Sequence, residues 1–178
     1  PLVKYIATEL IKLGYKPGIV SRGYGGKFKE TLRVTNETPV KQTGDEAQIL
    51  STLNIPFYID KNRVRALKTL NDNHDCDVII SDDGLQHYNM NRDVEIVVID
   101  GKRRFGNNLS FPAGPLRESL KRLDSVDFIV NNDKIILNPV VDPARIENVT
   151  LDITTADIQD MNGNFITKIL ITDDQYSN

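Results

Sequence analysis

The chain has 178 residues, 39% of them hydrophobic and 26% charged, a composition typical of a water-soluble globular protein with one main core. Its formal charge of −3 argues against general nucleic-acid binding, which requires a basic surface. The single cysteine, Cys76, excludes an internal disulfide framework, and no apolar run approaches the roughly 18 residues of a membrane-spanning helix.

The first half of the chain predicts helices that alternate with short strands. Apolar residues at helical spacing predict a helix over 2–13, and Gly14 and Pro17 are typical of its end. The next predicted elements are strands over 18–21, 31–35 and 56–59 and helices over 45–53 and 62–70. This alternation predicts an α/β fold, with a mostly parallel sheet and helices on both faces.

The second half continues the same pattern at first and then departs from it. Further strands are predicted over 77–80, 94–99 and 126–130. Beyond about residue 133 the sequence becomes rich in Thr, Asp and Asn, with a short β-like run over 164–171. We therefore expect a main domain over 1–132 and, over 133–178, a linker and the start of a second, smaller lobe.

Two adjacent carboxylates, Asp82 and Asp83, directly follow the predicted strand 77–80. In open α/β sheets ligands bind at the carboxyl ends of strands, where carboxylates can hold Mg²⁺ together with substrate phosphates. Because adjacent residues of an extended segment point in opposite directions, we expect one acid to address the metal and the other to position water or a second group. The alternative is a polar turn at the exit of a core strand.

Three polar side chains follow the acidic pair. Gln86, His87 and Tyr88 supply an amide, an imidazole and a phenol, which can form hydrogen bonds with the hydroxyls of a sugar. A hydrated loop could carry the same residues, but their position beside two acids favours a binding role.

A second candidate site lies at Gly44-Asp45-Glu46, where a helix is predicted to begin. The Asp45 carboxylate could accept a proton from a hydroxyl nucleophile. Helix capping is the competing explanation, because aspartate is a common N-cap residue.

The loop over 21–26 contains three glycines and two side chains suited to a phosphorylated sugar. Arg22 could pair with a phosphate, and Tyr24 could stack on a sugar or form a hydrogen bond with it. The alternative is a flexible glycine turn.

A further loop, over 105–118, is rich in proline and glycine and ends in two charged residues as a helix resumes. Arg117 could bind phosphate, and Glu118 could join a magnesium shell. The alternative is a surface pairing such as that of Glu118 with Arg122, four residues later.

Two short basic clusters occur at 102–104 and 121–122. Each is most simply explained as part of a solvated surface. Either could instead contact an anionic membrane surface or a phosphorylated lipid.

Taken together, these motifs closely resemble those of the tetraacyldisaccharide 4′-kinase family over roughly residues 1–132. The matching segments are Ser-Arg-Gly-Tyr-Gly-Gly at 21–26, Gly-Asp-Glu at 44–46, Ser-Asp-Asp-Gly-Leu-Gln-His-Tyr at 81–88, the strand at 93–100 and Phe-Pro-Ala-Gly-Pro-Leu-Arg-Glu at 111–118. The resemblance implies a P-loop NTPase-like fold that uses ATP and Mg²⁺. It also implies transfer of the γ-phosphate to the 4′-hydroxyl of an acylated glucosamine disaccharide 1-phosphate, forming lipid IVA in lipid A biosynthesis.

The same resemblance assigns roles to individual residues. It implies that Asp45 acts in activating the 4′-hydroxyl and that Glu118 lies near the magnesium. Asp82 and Asp83 match the Walker B acids, which act in catalysis and at the metal. The residues expected around the nucleotide and the disaccharide are Arg22, Tyr24, Glu46, Gln86, His87 and Arg117.

The resemblance also implies flanking segments, a cellular location and partners. The family's first strand and phosphate-binding loop would precede Pro1, and its C-terminal lobe would follow Asn178, so we expect a fragment with little or no activity by itself. The expected location is the cytoplasm, peripheral on the inner membrane of a Gram-negative bacterium. The expected partners are the lipid substrate and the anionic membrane surface, without nucleic acid or a protein partner. The alternatives are another P-loop kinase or ligase of a small metabolite and a non-catalytic binding domain.

Overall fold

The computed structural model describes residues 2–99, 105–131 and 134–137, which divide after Asp93 into two compact units. The first unit contains helices α1 (Leu2–Lys12), α2 (Val40–Thr43), α3 (Asp45–Ser51) and α4 (Arg63–Asn73) and strands β1 (Pro17–Ser21), β2 (Leu32–Arg33), β3 (Phe57–Ile59) and β4 (Val78–Ser81). The second contains β5 (Ile96–Ile99), a 3₁₀-helix (Leu120–Ser125), β6 (Phe128–Asn131) and β7 (Lys134–Leu137). None of the helices in these ranges is long and apolar enough to cross a membrane.

The first unit is built on a four-stranded sheet in the order β2-β3-β1-β4. Strand β1 is parallel to both of its neighbours, and only the edge strand β2 runs antiparallel. The carboxyl ends of β1, β3 and β4 therefore meet at one edge of the sheet. This arrangement confirms the predicted α/β fold with a mostly parallel sheet, and it brings the loops after residues 21, 59 and 81 to the edge where ligands bind in such folds.

Strand β1 is buried along its whole length, because both of its faces are covered. On one face lies a core of Val20, Tyr58, Ala66, Leu67, Leu70 and Met90. On the other face Ile19 and its register partner Phe57 are 0% and 1% exposed. Helix α4 packs closely on the strand at Gly18, where a Cβ would lie 2.9 Å from Leu70 Cδ1 and 3.0 Å from Cys76 Sγ.

Several boundaries differ from those predicted in the first unit. Helix α4 extends to Asn73 instead of ending at residue 70, because no glycine or proline stops it there. The strand predicted over 31–35 is reduced to two residues. The short helix α2 was not predicted, because Pro39 and Gly44 bracket only four residues and the sequence pattern there indicates a loop.

In the second unit β5 pairs parallel with β6, and β6 pairs antiparallel with β7. The strand β7 was not predicted, since its segment was assigned to a linker. The helix expected after Glu118 is a 3₁₀-helix that begins after Ser119. The basic cluster at 102–104 and the β-like run at 164–171 lie outside the described residues.

Candidate functional site

The acidic pair lies where β4 ends. The Asp82 amide donates a hydrogen bond of 2.9 Å to the Val20 carbonyl, so the pairing with β1 continues for one residue beyond the strand. Asp83 then adopts a φ of 50°, a left-handed conformation that aspartate tolerates better than most residues. This turn separates the two carboxylates: Asp82 is partly buried at the sheet edge, whereas Asp83 is exposed.

The Asp82 carboxylate is in contact with β1. The Ser21 hydroxyl donates a hydrogen bond of 3.2 Å to Asp82 Oδ2. Burial nevertheless raises the pKa of Asp82, because it outweighs the Ser21 hydrogen bond and the positive charge of Arg63. The ionised carboxylate is therefore less well stabilised here than in water. A bound cation would supply the additional stabilisation.

Arg63, which the sequence reasoning missed, lies at the start of α4 and is 1% exposed. Its Nη2 donates 2.9 Å to the Asp82 carbonyl and its Nη1 donates 3.1 Å to the Asp60 carbonyl. Burial lowers the pKa of Arg63 to about 10, although Asp82 and Asp83 oppose the shift. The sequence feature that could have identified Arg63 is the polar run directly after β3, which resembles the polar run after β4.

Asp60 fixes the start of α4 by binding several donors at the end of β3. Arg65 approaches both of its carboxylate oxygens, at 2.6 and 2.9 Å, and the Thr31 hydroxyl and the Asn62 amide also donate to it. Burial by itself raises the pKa of Asp60, but these hydrogen bonds together bring it below its ordinary value. This cluster is a structural support for the helix that carries Arg63.

Gln86 and His87 line a cleft of about 420 Å³ in the first unit. Its other lining residues are Lys61, Asn62, Arg63, Val64, Tyr88, Asn89 and Met90. Burial lowers the pKa of His87, and the charges of Arg63 and Arg22 lower it further. The imidazole is therefore neutral near physiological pH and can both donate and accept hydrogen bonds.

The glycine-rich loop and the start of α3 are in direct contact. The Lys27 amide donates 3.1 Å to the Lys41 carbonyl, which holds the end of the loop against α2. A Cβ on Gly44 would lie 2.1 Å from the Tyr24 carbonyl oxygen, so only glycine allows this approach. The motifs at 21–26 and 44–46 are thus brought together.

The Asp45 side chain does not cap α3. The N-cap position is taken by Gly44, without a side-chain hydrogen bond, and Asp45 is the first residue of the helix. Asp45 and Glu46 are both exposed, and Tyr24 and Arg22 in the adjoining loop are exposed as well. The competing explanation, that Asp45 is an N-cap residue, is therefore wrong. The Asp45 carboxylate is accessible to solvent.

Glu118 and Arg117 belong to the second unit. Glu118 Oε2 lies 3.7 Å from Arg122 Nε, so the pairing considered as an alternative for Glu118 is present. Arg122 Nη2 also lies 2.6 Å from each carboxylate oxygen of Glu95. The prediction of a solvated face at 121–122 is therefore wrong for Arg122, whose side chain is only 17% exposed, while Arg117 is exposed.

The acidic pair has the donor chemistry that Mg²⁺ requires. No group of three or more His, Cys, Asp or Glu side chains within the described ranges is arranged to hold a metal without other ligands. Magnesium, however, commonly takes one or two carboxylates and completes its octahedron with water and substrate phosphates. Asp82 and Asp83 can supply these carboxylates at the sheet edge.

Comparison with known families gives one match over nearly the whole chain. The family model described as Tetraacyldisaccharide-1-P 4′-kinase matches residues 1–169. The tetraacyldisaccharide 4′-kinase of Psychromonas ingrahamii is 47% identical over 150 residues, which are 83% of this chain and 47% of that protein. The one of Ruthia magnifica subsp. Calyptogena magnifica is 52% identical over 134 residues, 74% of this chain and 42% of that protein. The chain thus spans less than half the length of these relatives.

A solved structure agrees with this match. The crystal structure of LpxK from Aquifex aeolicus, described as an "apo" form in complex with ATP, is similar with a TM-score of 0.64 at 29% identity. The similarity covers 77% of this chain and 42% of that one.

Proposed function

The chain belongs to the tetraacyldisaccharide-1-P 4′-kinase family, and on this basis we propose that the whole protein phosphorylates the 4′-hydroxyl of an acylated glucosamine disaccharide 1-phosphate. The phosphate donor is ATP, and the product is lipid IVA in lipid A biosynthesis. The names of the relatives and the ATP complex of the similar structure support both the reaction and the donor.

The observation that carries the proposal is the environment of the acidic pair. Asp82 and Asp83 follow β4, a parallel strand that pairs with the fully buried β1, at the carboxyl edge where ligands bind in such folds, and Ser21 and Arg63 form hydrogen bonds with Asp82 there. Burial also raises the pKa of Asp82, and carboxylates with shifted pKa values are concentrated at functional sites.

In the proposed mechanism the acidic pair binds the metal. When bound, Mg²⁺ neutralises charge on the phosphate oxygens. Asp82 is held in place by its partners, while Asp83 is exposed and can bind the metal directly or through water. Arg22 lies at the end of β1, near enough to Arg63 and His87 for their charges to interact, and is suited to a phosphate group.

Asp45 is proposed to accept the proton of the attacking 4′-hydroxyl. Its carboxylate is exposed at the first residue of α3, beside the loop that carries Tyr24. Tyr24, Gln86 and His87 would form hydrogen bonds with the sugar or the nucleotide, and Glu46 lies beside Asp45 on the same helical turn. Positioning and charge stabilisation of this kind account for most of the catalysis in phosphoryl transfer.

The roles of Arg117 and Glu118 remain part of the proposal for the whole protein. Glu118 is proposed to act near the magnesium, the role that the family resemblance implies, and its carboxylate lies 3.7 Å from Arg122 Nε. Arg117 is exposed in the same segment and is proposed to bind phosphate.

The membrane is the proposed place of action. An acylated disaccharide resides in a lipid bilayer, so the enzyme must reach it from the cytoplasmic side of the inner membrane. The exposed Lys121 is available to contact anionic lipid, whereas Arg122 is held by Glu95.

The test is a phosphorylation assay with the whole protein, ATP, Mg²⁺ and the acylated disaccharide 1-phosphate in detergent micelles. Mass spectrometry should detect a product heavier by one phosphate, and chemical degradation should locate that phosphate at the 4′ position. Phosphorylation only of small metabolites would support a different kinase, and binding of ATP without turnover would support a non-catalytic domain.

A further inference from the structure

The segment that carries Gln86 and His87 contains neither helix nor strand. It extends from Asp82 to Glu95 and includes two successive turns, at 84–87 and 87–90. The His87 amide donates 2.9 Å to the Gly84 carbonyl, and the Met90 amide donates 3.1 Å to the His87 carbonyl. Met90 is 5% exposed and anchors the far end of these turns in the core.

Arg92 binds both ends of the first turn through one nitrogen. Its Nη1 donates hydrogen bonds of 3.0 Å to the Gly84 carbonyl and 3.0 Å to the His87 carbonyl, and it lies 3.4 Å from the Leu85 carbonyl. Hydrogen bonds from an ionised donor are stronger than those between neutral groups. The side chain of Arg92 is itself partly buried, so it is a built-in part of this segment.

We propose that Arg92 is a positioning residue of the active site, which fixes the turn at 84–87 so that Gln86 and His87 are presented to the cleft. Both side chains line the cleft, whereas Arg92 does not. Arg92 thus acts through the backbone carbonyls of Gly84 and His87, which bracket this turn, and not on a ligand. This inference rests on the proposed function for its kinetic consequences, but its structural part can be measured separately.

The kinetic test uses the whole protein with four variants: Arg92→Ala, Arg92→Lys, a Gln86→Ala/His87→Ala double variant and the triple variant that adds Arg92→Ala. We expect Arg92→Ala to lower kcat/KM for the disaccharide by about 100-fold, the loss typical of a misplacement near 1 Å. Lysine can donate to one or two of the carbonyls, so Arg92→Lys should recover part of the loss.

The triple variant distinguishes positioning from general stabilisation. If Arg92 acts through Gln86 and His87, kcat/KM of the triple variant should be less than about 3-fold below that of the double variant. Independent losses that multiply in the triple variant would overturn the proposal, and so would wild-type kinetics in Arg92→Ala. Arg33→Ala, which removes an exposed arginine on β2, is the matched control and should leave kcat/KM unchanged.

Hydrogen exchange provides a second readout that needs no substrate. In Arg92→Ala, the amides of His87 and Met90 should exchange at least about 10-fold faster, while amides in α4 stay protected. If the wild-type protein shows no kinase activity, the proposed function fails, and this measurement alone decides whether Arg92 fixes the turn. Unchanged exchange at both amides would refute the role of Arg92 even in an active enzyme.

Discussion

Arg63 and Asp82 are joined by a hydrogen bond of 2.9 Å from a buried guanidinium to a main-chain carbonyl. A second hydrogen bond of 3.1 Å connects the same guanidinium to the Asp60 carbonyl. These two carbonyls lie at the ends of β4 and β3, which are not neighbours, because β1 lies between them. Arg63 therefore connects the carboxyl ends of β3 and β4 and places positive charge next to the acidic pair.

Replacement of Arg63 by methionine should destabilise the protein. Methionine retains most of the volume but removes the charge and both hydrogen bonds, so the Asp60 carbonyl, which is buried, and the partly buried Asp82 carbonyl both lose this donor. We expect a loss of about 3 kcal/mol in the free energy of unfolding. Urea denaturation of the whole protein measures the free energy of unfolding. Hydrogen exchange then shows whether protection is lost in β3 and β4. Lys68→Met on the exposed side of α4 is the control, and an equal loss in both variants would contradict a bridging role.

Asp82→Asn should stabilise the protein near neutral pH while abolishing activity. The folded-state pKa of Asp82 is raised by burial, so the unfolded chain loses this proton first as pH rises. The ionised carboxylate therefore reduces stability above its folded-state pKa, and an uncharged amide removes that cost. Below about pH 4 both states are protonated, and the difference should disappear.

Thermal unfolding of Asp82→Asn and the wild-type protein across this pH range is the measurement, without ATP or metal. Asp83→Asn is the comparison, because Asp83 is exposed and its replacement should change stability little. A lower midpoint for Asp82→Asn at neutral pH would show that the carboxylate supports the fold instead of serving a ligand.

The sheet of the first unit was predictable because its strands are short apolar runs separated by helices. Strands β1 and β4 end within one residue of their predicted ends, since polar residues and glycines follow at once. The strand β7 was not predictable from local pattern, because it exists through its pairing with β6, and the short length of β2, which was predicted over 31–35, is set by its pairing with β3. Such pairing depends on a partner distant in sequence, which periodicity cannot show.

The candidate site was predictable where polar residues interrupt an apolar pattern, as at Asp82, Asp83 and His87. Arg63 and Arg92 were missed because arginine is most often a surface residue and neither lies in a distinctive motif. Their importance comes from carbonyls that only the folded chain brings within reach. Sequence reasoning thus identified the groups that could face a ligand, but not those that hold them.

Gly44→Ala should be far more damaging than Gly14→Ala, although both glycines have positive φ, 84° and 89°. An alanine Cβ at residue 44 would meet the Tyr24 carbonyl oxygen at 2.1 Å, whereas one at residue 14 would have no atom within 4 Å. Gly14→Ala should cost about 1 kcal/mol through backbone strain alone. Gly44→Ala should cost about 3 kcal/mol, because displacement of the Tyr24 loop adds to the strain.

Denaturant unfolding of the two variants gives the stability difference, and kcat/KM shows its functional effect. Folded Gly44→Ala should have reduced activity, since the loop of Tyr24 and the helix of Asp45 are displaced together. Folded Gly14→Ala should retain wild-type kinetics. Similar stability losses in both would mean that the contact between residues 24 and 44 is not maintained in solution.

Asp45→Asn in the whole protein should reduce kcat by about 100-fold or more while the Kd for ATP stays nearly constant, because an amide cannot accept the proton of the 4′-hydroxyl. The side chain is exposed and does not cap α3, so stability should fall by only about 0.5 kcal/mol, the loss of a favourable charge at a helix start. Single-turnover kinetics and ATP titration separate the two effects. Asp72→Asn, at an exposed position on α4, is the control and should leave both unchanged. Wild-type turnover in Asp45→Asn would assign the proton acceptor to another group, and weakened ATP binding would place Asp45 at the nucleotide instead.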